Sequence, residues 1–496
     1  MTATLTLRGL QEYARRPLNL VLLVVVPVIF VTLTAGALAD FSAALGGDGG
    51  TRGAIEAASA GWAAAVLGGI AGFFHVAGSR EPDRRLAAAG AGTVRVVLAR
   101  TYSAVILAAA AAAGALVALA ARTGLGDAPR AVGATVLFAV IFLAAGMTVG
   151  ALVRSEMNGS LLIVFFWIFN VFLSPAMGVD SPALRVLPLH FPNQVITDVA
   201  SGHAGPLGDL GISLAWAAFG IAVAIGALVT TTRPARVRLD RRPGSFARLR
   251  TALRYGFREY RRNVVLWVLL VGLPVYFITV SMATTPDDPV PVEVTNGGSR
   301  AMLVLPMSDV HGAIMVAITV AFLAGLAGLF VVTGSVQGDR RLVLAGFRAR
   351  EVLGARLGIV AFATLLTTAV SLAVTAFGFQ PRNWTVFALG TLLTALTYAM
   401  LGVLIGPLVG RLGGLYLMIL LPFIDGGVAQ NPMFDAAPPA WAGVMPSYGA
   451  IRVLLDGAFT GSFDEAGGLV LALGWLAAVT AAAAIVFRRL AEPARG

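Results

Sequence analysis

Long apolar runs constrain this chain more than any other feature of its sequence. We read twelve of them. Six lie near 18–38, 56–77, 101–121, 131–153, 159–176 and 207–231, and six near 263–283, 310–333, 357–377, 384–409, 413–429 and 466–487. A helix needs about 20 apolar residues to cross the hydrocarbon of a bilayer, where only its own carbonyls can pair with its amides. The runs therefore predict an all-α membrane protein with twelve transmembrane helices. Charged residues make up only 12% of the 496, and the mean hydropathy is +0.85. A soluble domain carries about 25% charged residues. Disorder, a secreted disulfide scaffold and an ordinary cytosolic enzyme are excluded. Run 18–38 is too long for a cleaved signal peptide, and the proline after Arg15-Arg16 does not continue a twin-arginine signal.

The residue inventory removes several chemistries. There is no cysteine, hence no disulfide, thiolate metal site or cysteine nucleophile. All 36 basic residues are arginine. The phosphate-binding loop of nucleotide hydrolases ends in Gly-Lys-Ser/Thr and needs that lysine on the phosphates. The chain is expected not to be an enzyme and to carry no cofactor of its own. Its four histidines, His75, His190, His203 and His311, are dispersed and lack metal-ligand spacing. No nucleophile and base stand together.

Arginine placement sets an orientation. Cytoplasmic loops retain positive charge. With the N-terminus inside, 29 arginines and 9 acids fall on the cytoplasmic side, against 7 arginines and 16 acids on the other. Both termini are therefore expected in the cytoplasm, with the protein in the cell membrane. The net charge of +11 then reflects orientation and lipid anchoring and requires no nucleic acid.

The chain is written twice. Residues 12–30 align without gaps on 259–277, with Glu12/Glu259, Tyr13/Tyr260 and Pro27/Pro274 among ten identities in 19 positions. Residues 78–100 align on 334–356 with 11 of 23 identical. A weaker third match places Pro188, Val195 and Asp198 on Pro446, Val453 and Asp456. We divide the chain into a first six-span half (1–232), an arginine- and proline-rich cytoplasmic linker (233–245) and a second six-span half (246–496). Both halves begin on the same side, so their pseudo-two-fold axis is expected along the membrane normal.

Three features lie outside the runs. Each half opens with an amphipathic segment. In the second, Phe246, Leu249, Leu253, Phe257 and Tyr260 form a stripe opposite Arg248, Arg254, Arg258 and Arg262. In the first, Leu7, Leu10 and Ala14 oppose Arg8, Gln11 and Arg15. Both read as helices lying in the cytoplasmic leaflet. Next, the loop after the second run reads Asp-Arg-Arg-Leu-x-x-x-Gly in both copies, as Asp83, Arg84, Arg85, Leu86 and Gly90, then Asp339, Arg340, Arg341, Leu342 and Gly346. Finally, apolar but proline-broken stretches, 174–202 and 431–457, precede the last run of each half and read as short re-entrant helices.

These features, in this order and given twice, resemble the type 2 ABC-transporter permease family. The resemblance covers essentially the whole chain. It implies two six-helix halves, each with an interfacial helix, a coupling helix between spans two and three, and re-entrant helices before span six. It also implies an exporter driven by two copies of a separate cytoplasmic ATPase subunit, which hold ATP and Mg. In this resemblance Asp83, Arg84, Arg85 and Gly90, with Asp339, Arg340, Arg341 and Gly346, face the ATPase. The family's usual acidic-Arg-Glu-x-Gly-Thr run is absent there, since Arg84-Arg85-Leu86 stands in its place. The resemblance also puts spans one, two and five along the cargo path, where the fifth runs supply Phe166, Trp167 and Asn170, then Tyr416, Phe423 and Asp425. Aromatic walls with few polar groups suit a hydrophobic or amphiphilic small molecule, such as a drug, antibiotic or lipid-like compound. Asp425 is the one carboxylate we place well inside a run, and such residues are costly and often functional.

An ion-coupled secondary transporter of the major facilitator type is the alternative. That family carries Gly-x-x-x-Asp-Arg-x-Gly-Arg-Arg after its second span, whereas here Gly334 and Asp339 are one residue too far apart and no Gly-Arg-Arg follows. A multispan membrane enzyme would need polar groups clustered at one membrane face.

Overall fold

The computed structural model describes residues 2–15, 17–44, 52–179, 181–197, 205–232, 264–344 and 349–491. The linker, the amphipathic segment of the second half, Gly346 and His203 lie outside them. The chain divides into two compact units, Met1–Arg238 and Leu239–Gly496.

The first unit begins with α1 (Thr2–Ala14), followed by α2 (Pro17–Ala44), α3 (Arg52–Ala77) and the short α4 (Arg80–Leu86). Next come α5 (Thr93–Arg122), α6 (Ala128–Leu152), α7 (Glu156–Phe172), α8 (His190–Thr197) and α9 (Gly205–Thr232). The second unit holds α10 (Val264–Thr284), strands β1 (Pro289–Asn296) and β2 (Ser299–Pro306), α11 (Met307–Leu344) and α12 (Ala349–Thr375). It ends with α13 (Trp384–Pro422), α14 (Tyr448–Phe459) and α15 (Ala466–Ala491).

Among the described residues nine helices are long and apolar enough to cross a membrane, and 156–172 and 270–284 are shorter apolar helices. The protein is a helical, multi-pass membrane protein. The runs 384–409 and 413–429 are two helices that meet without a loop at Gly410 (φ 77°, ψ −177°), where the backbone leaves the helical region, and the second closes with a π-helical turn, Phe423–Ala429. Only a residue without Cβ adopts that backbone readily.

Helix starts follow from local side chains. Asp127 accepts a bond from the Arg130 amide with Pro129 in the first turn of α6, Ser155 caps Asn158 and Asn383 caps Val386. Threonines are tolerated in apolar α12 because Thr364, Thr367, Thr368 and Thr375 each donate to the carbonyl four residues back.

Glycines set the core of each unit. On α3 and α6, Gly68, Gly69, Gly72, Gly146 and Gly150 bring two backbones into contact. A Cβ at Gly146 would lie 1.9 Å from the Gly69 carbonyl oxygen. On α11 and α13 the same work falls to Gly325, Gly328, Gly402 and Gly406, and a Cβ at Gly402 would lie 2.0 Å from the Gly325 oxygen. Gly69/Gly325, Gly72/Gly328, Gly146/Gly402 and Gly150/Gly406 are each 256 residues apart, the offset of the 78–100 match. The next helix closes in alike: a Cβ at Gly159 would meet the Phe73 ring at 2.2 Å, and one at Gly414 the Leu329 side chain at 2.3 Å. Small residues let membrane helices approach where no hydrophobic force draws them together.

The units fasten the break between their fourth and fifth helices differently. In the first, Arg80 Nε donates to the Gly150 carbonyl at 2.6 Å, and its Nη2 reaches the Gly150 and Val153 carbonyls at the end of α6. In the second, Arg411, just past the Gly410 bend, donates to the Thr333 carbonyl of α11 at 2.8 Å.

The β-hairpin is an element the all-α expectation missed. Gly297 and Gly298, both at positive φ, make its two-residue turn. Val290, Val292 and Val294 point inward, paired with Leu305, Leu303 and Ala301. Arg452 of α14 ties the hairpin down. Its buried guanidinium bonds Glu293 at 3.1 Å, Thr295 at 3.3 Å and Glu465 at 2.9 Å, while the Glu293 amide donates to Ala436.

The glycine contacts give a direct test. Replacing Gly146 or Gly402 by alanine should destabilise the purified protein by about 1–3 kcal/mol through forced separation of the helices. Gly133→Ala, on α6 with nothing near its Cβ position, should leave the melting temperature equal or higher.

Candidate functional site

The predicted partner-facing loop of the first unit is α4 followed by a π-helical turn, Ala87–Ala91. Pro82 and the acids Glu81 and Asp83 sit in the first turn of α4 and Arg84 and Arg85 in its last, the charge order a helix dipole favours. Gly90 (φ 93°) and Gly92 (φ 79°) then reverse the chain into α5.

The four predicted coupling residues separate into inward and outward groups. Asp83 is buried and accepts from Arg100 Nε of α5 at 2.9 and 3.1 Å. Burial pushes the Asp83 carboxyl above the usual aspartate range, against the pull of the Arg100 bond. Arg100 also reaches Glu12 of α1 at 3.4 Å. Arg84 turns inward too, its Nε donating to the Thr231 carbonyl near the end of α9 at 2.6 Å. Arg85 and Gly90 are outward. Arg85 is 78% exposed and pairs with Glu81, one turn earlier and 64% exposed, at 3.1 Å. Ala88 and Ala89 complete this exposed surface.

Helix α1 packs on α5 by one face and leaves the other outward. Gly9 and Tyr13 are buried, with Leu5, Thr6 and Leu10 half-buried, while Leu7 and Ala14 are exposed beside Arg8 and Arg15. The reason is close approach. A Cβ at Gly9 would lie 3.1 Å from Ser103 Oγ and 3.4 Å from the Arg100 guanidinium. Ser103 in turn bonds His75 at 2.6 Å. A cleft of about 170 Å³ remains between α1, α4 and α5, with Asp83, Arg100 and Glu12 among its lining.

In the second unit Asp339, Arg340, Arg341 and Leu342 continue α11 to Leu344 rather than forming a separate short helix.

The predicted path residues are largely internal. In the first unit Trp167 donates to the Trp62 carbonyl at 2.8 Å, and Trp62 donates to Asn193 of α8 at 3.0 Å. Asn170 donates to the Phe166 carbonyl at 2.8 Å and accepts from the Leu189 amide at 3.2 Å. Phe166 is half-buried and stacks on Phe142, their ring centroids 5.4 Å apart. In the second unit Tyr416 is fully buried and Phe423 half-buried. Asp425 is 1% exposed. It accepts from Tyr398 Oη at 2.7 Å, from the Ser447 amide at 3.0 Å and from Gln430 Nε2. Its position in the π-helical turn turns the carboxylate toward the broken segment that carries Ser447.

Asp425 is not the one buried carboxylate in an apolar helix. Glu56, paired with Arg52 and Arg122 at 3.4 and 3.5 Å, and Asp209 are also buried. Both sit at helix starts, where a hydropathy window averages them away. Among the described residues no group of three or more His, Asp or Glu has metal-site geometry. His75 bonds Ser103 and His311 bonds Thr285, each at 2.6 Å.

No protein-family model matches the chain, and no curated protein is similar to it.

The buried cluster predicts a measurable coupling. Arg100→Gln or Asp83→Asn alone leaves an uncompensated buried charge, at about 3–5 kcal/mol. The double variant should lose at least ~1 kcal/mol less than the sum of the singles. Strict additivity in thermal unfolding would remove the pair from the account.

Proposed function

We propose that this chain is the membrane-spanning permease subunit of an ATP-driven exporter, powered by two copies of a separate ATPase subunit that hold ATP and Mg. The observation that carries the reading is the way α4 is hung. A short charged helix between the second and third membrane helices is tied by buried and half-buried side chains to α1 and α5 through Arg100, to α6 through Arg80 and to α9 through Arg84. Force applied to α4 is thereby delivered to several helices at once. Its outward surface, Glu81, Arg85, Ala88, Ala89 and Gly90, is free to meet a soluble protein. The Asp-Arg-Arg-Leu-x-x-x-Gly run recurs at 339–346, where its Asp-Arg-Arg-Leu part continues α11. Without a lysine the chain cannot build a nucleotide phosphate loop, and the engine belongs on another polypeptide.

In this reading the membrane carries twelve spans. Two come from the 384–429 stretch on either side of Gly410, and two are the shorter helices 156–172 and 270–284. Arginine distribution puts both termini in the cytoplasm, α4 on that side, and the hairpin with the broken, re-entrant segments on the outer side. The cargo is a hydrophobic or amphiphilic small molecule, in keeping with the aromatic residues of the fifth helices, and export follows the family resemblance.

The exposed Glu81–Arg85 pair separates docking from stability. Inverting it, as Glu81→Arg with Arg85→Glu, keeps the ion pair on the helix and reverses the charge shown to a partner. The variant should melt like the parent yet lose at least about tenfold in ATPase affinity, or ~1.4 kcal/mol, measured by co-purification and by cargo-stimulated ATP hydrolysis. The reading fails if the chain alone, in vesicles given only a proton or sodium gradient, accumulates a hydrophobic cation dye uphill. That result would favour a secondary transporter.

A further inference from the structure

Asn170 and Asp425 stand at the same place in their units. Gly159 and Gly414 set the closest approach of the fifth helix to the second, and each polar residue follows its glycine by 11 positions. Both side chains are buried, and both accept a backbone amide from the broken segment ahead of the last helix. The donor is Leu189 at 3.2 Å in the first unit and Ser447 at 3.0 Å in the second. Leu189 follows Pro188 and Ser447 follows Pro446, the two prolines matched in the repeat. One acceptor oxygen therefore fixes the start of α8 and, in the other unit, of α14.

The surroundings differ in step with the acceptor. Asn170 has its own donor, which it places on the Phe166 carbonyl. The position matched to Tyr398, 256 residues earlier, is Phe142, which offers no hydrogen bond. Asp425 has no donor and more lone pairs to satisfy, and Tyr398 and Gln430 supply donors to it. Phenylalanine goes with the amide and tyrosine with the carboxylate. This is the pattern expected if a buried acceptor is required and its charge is a liability to be compensated.

We propose that Asn170 and Asp425 are one positioning device in two chemical forms, each pinning the amide that follows a matched proline, and that the charge of Asp425 is dispensable. A carboxylate that carried a proton or a metal ion through a transport cycle could not be exchanged for an amide, so this assignment stands apart from the exporter reading and is tested without it.

The test uses the full-length purified chain, with amide hydrogen exchange followed in peptides spanning Leu189 and Ser447, together with thermal unfolding. Asp425→Asn with Tyr398→Phe rebuilds the pair used in the first unit. It should keep the Ser447 amide protected to within about threefold of the parent. Asp425→Leu with Tyr398→Phe should open that amide by about tenfold or more and leave Leu189 unchanged. In the reverse direction, Asn170→Asp should open Leu189 and lower the melting temperature, and adding Phe142→Tyr should recover part of both. If the leucine variant does not fold, a folded Asn/Phe variant with a protected Ser447 amide supports the same conclusion. An Asn/Phe variant as open at Ser447 as the leucine variant would overturn the proposal. So would an Asn170→Asp protein that Phe142→Tyr does not improve.

Discussion

Hydrocarbon offers no partner to a backbone amide or carbonyl, and the architecture of both units follows from that. A straight helix satisfies itself, but a broken one exposes unpaired groups wherever it stops. Both units break helices near the same points: between the fourth and fifth helices, and ahead of the last. The second unit runs its α11 on where the first stops α3 and turns into α4. At the breaks stand most of the buried polar side chains described above. Arg80 and Arg411 hold carbonyls at the first kind of break, and Asn170 and Asp425 hold amides at the second. Asn193 and Asp456 close the short helices, Asn193 by donating to the Leu189 carbonyl and Asp456 by accepting from the Asp464 amide. In a chain with so few polar residues in its spans, these mark where the backbone needed help rather than where chemistry occurs.

The glycine contacts and the polar ties divide the work. Glycines on α3 and α6, and on α11 and α13, bring backbones so close that the paired helices have no room to slide. The polar ties then join the peripheral pieces to that pair. Helix α4 is the clearest instance, with Asp83, Arg84 and Arg80 all spent on the interior. Of the Asp-Arg-Arg run in the first unit, only Arg85 is exposed. Within seven residues α4 carries both its anchors, Asp83 and Arg84, and its exposed pair, Glu81 and Arg85.

The parts legible in the sequence were those governed by long averages. Apolar length gave the membrane helices, and identity at a fixed offset gave the repeated loop. Features set by single contacts were not legible. The interruption at Gly410-Arg411 separates two runs in the sequence, but that the two helices meet there without a loop is visible only in the backbone. The face of α1 that packs on α5 is chosen by Gly9 fitting against Ser103 and Arg100, a contact that the leucine pattern does not announce. The hairpin was written plainly, as alternating Val290, Val292 and Val294 before Asn296-Gly297-Gly298, but a reading tuned to 20-residue runs passes over eight-residue strands. Asn170 looked like a path residue because a polar group in an aromatic helix stands out. Its acceptor role required knowing where the Leu189 amide lies.

The repeat preserves joints more strictly than residues. The break between the fourth and fifth helices is closed from α4 by Arg80 in one unit and toward the second helix by Arg411 in the other. In the first unit the position 256 residues before Arg411 is Ser155, which is occupied in capping α7 through the Asn158 amide. An arginine there would forfeit that cap. In the second unit Gly410 replaces the capped start, which frees the next residue to be the arginine. Each solution is thus consistent with its own way of turning the chain. Arg411 lies beyond the bend and ties the fifth-helix segment to α11, whereas Arg80 holds the end of α6, and α7 is attached by its own cap, the approach of Gly159 to Phe73 and the Trp167–Trp62 bond. The two units thus share the glycine contacts between their second and fourth helices and differ in the element that fastens the joint to the fifth.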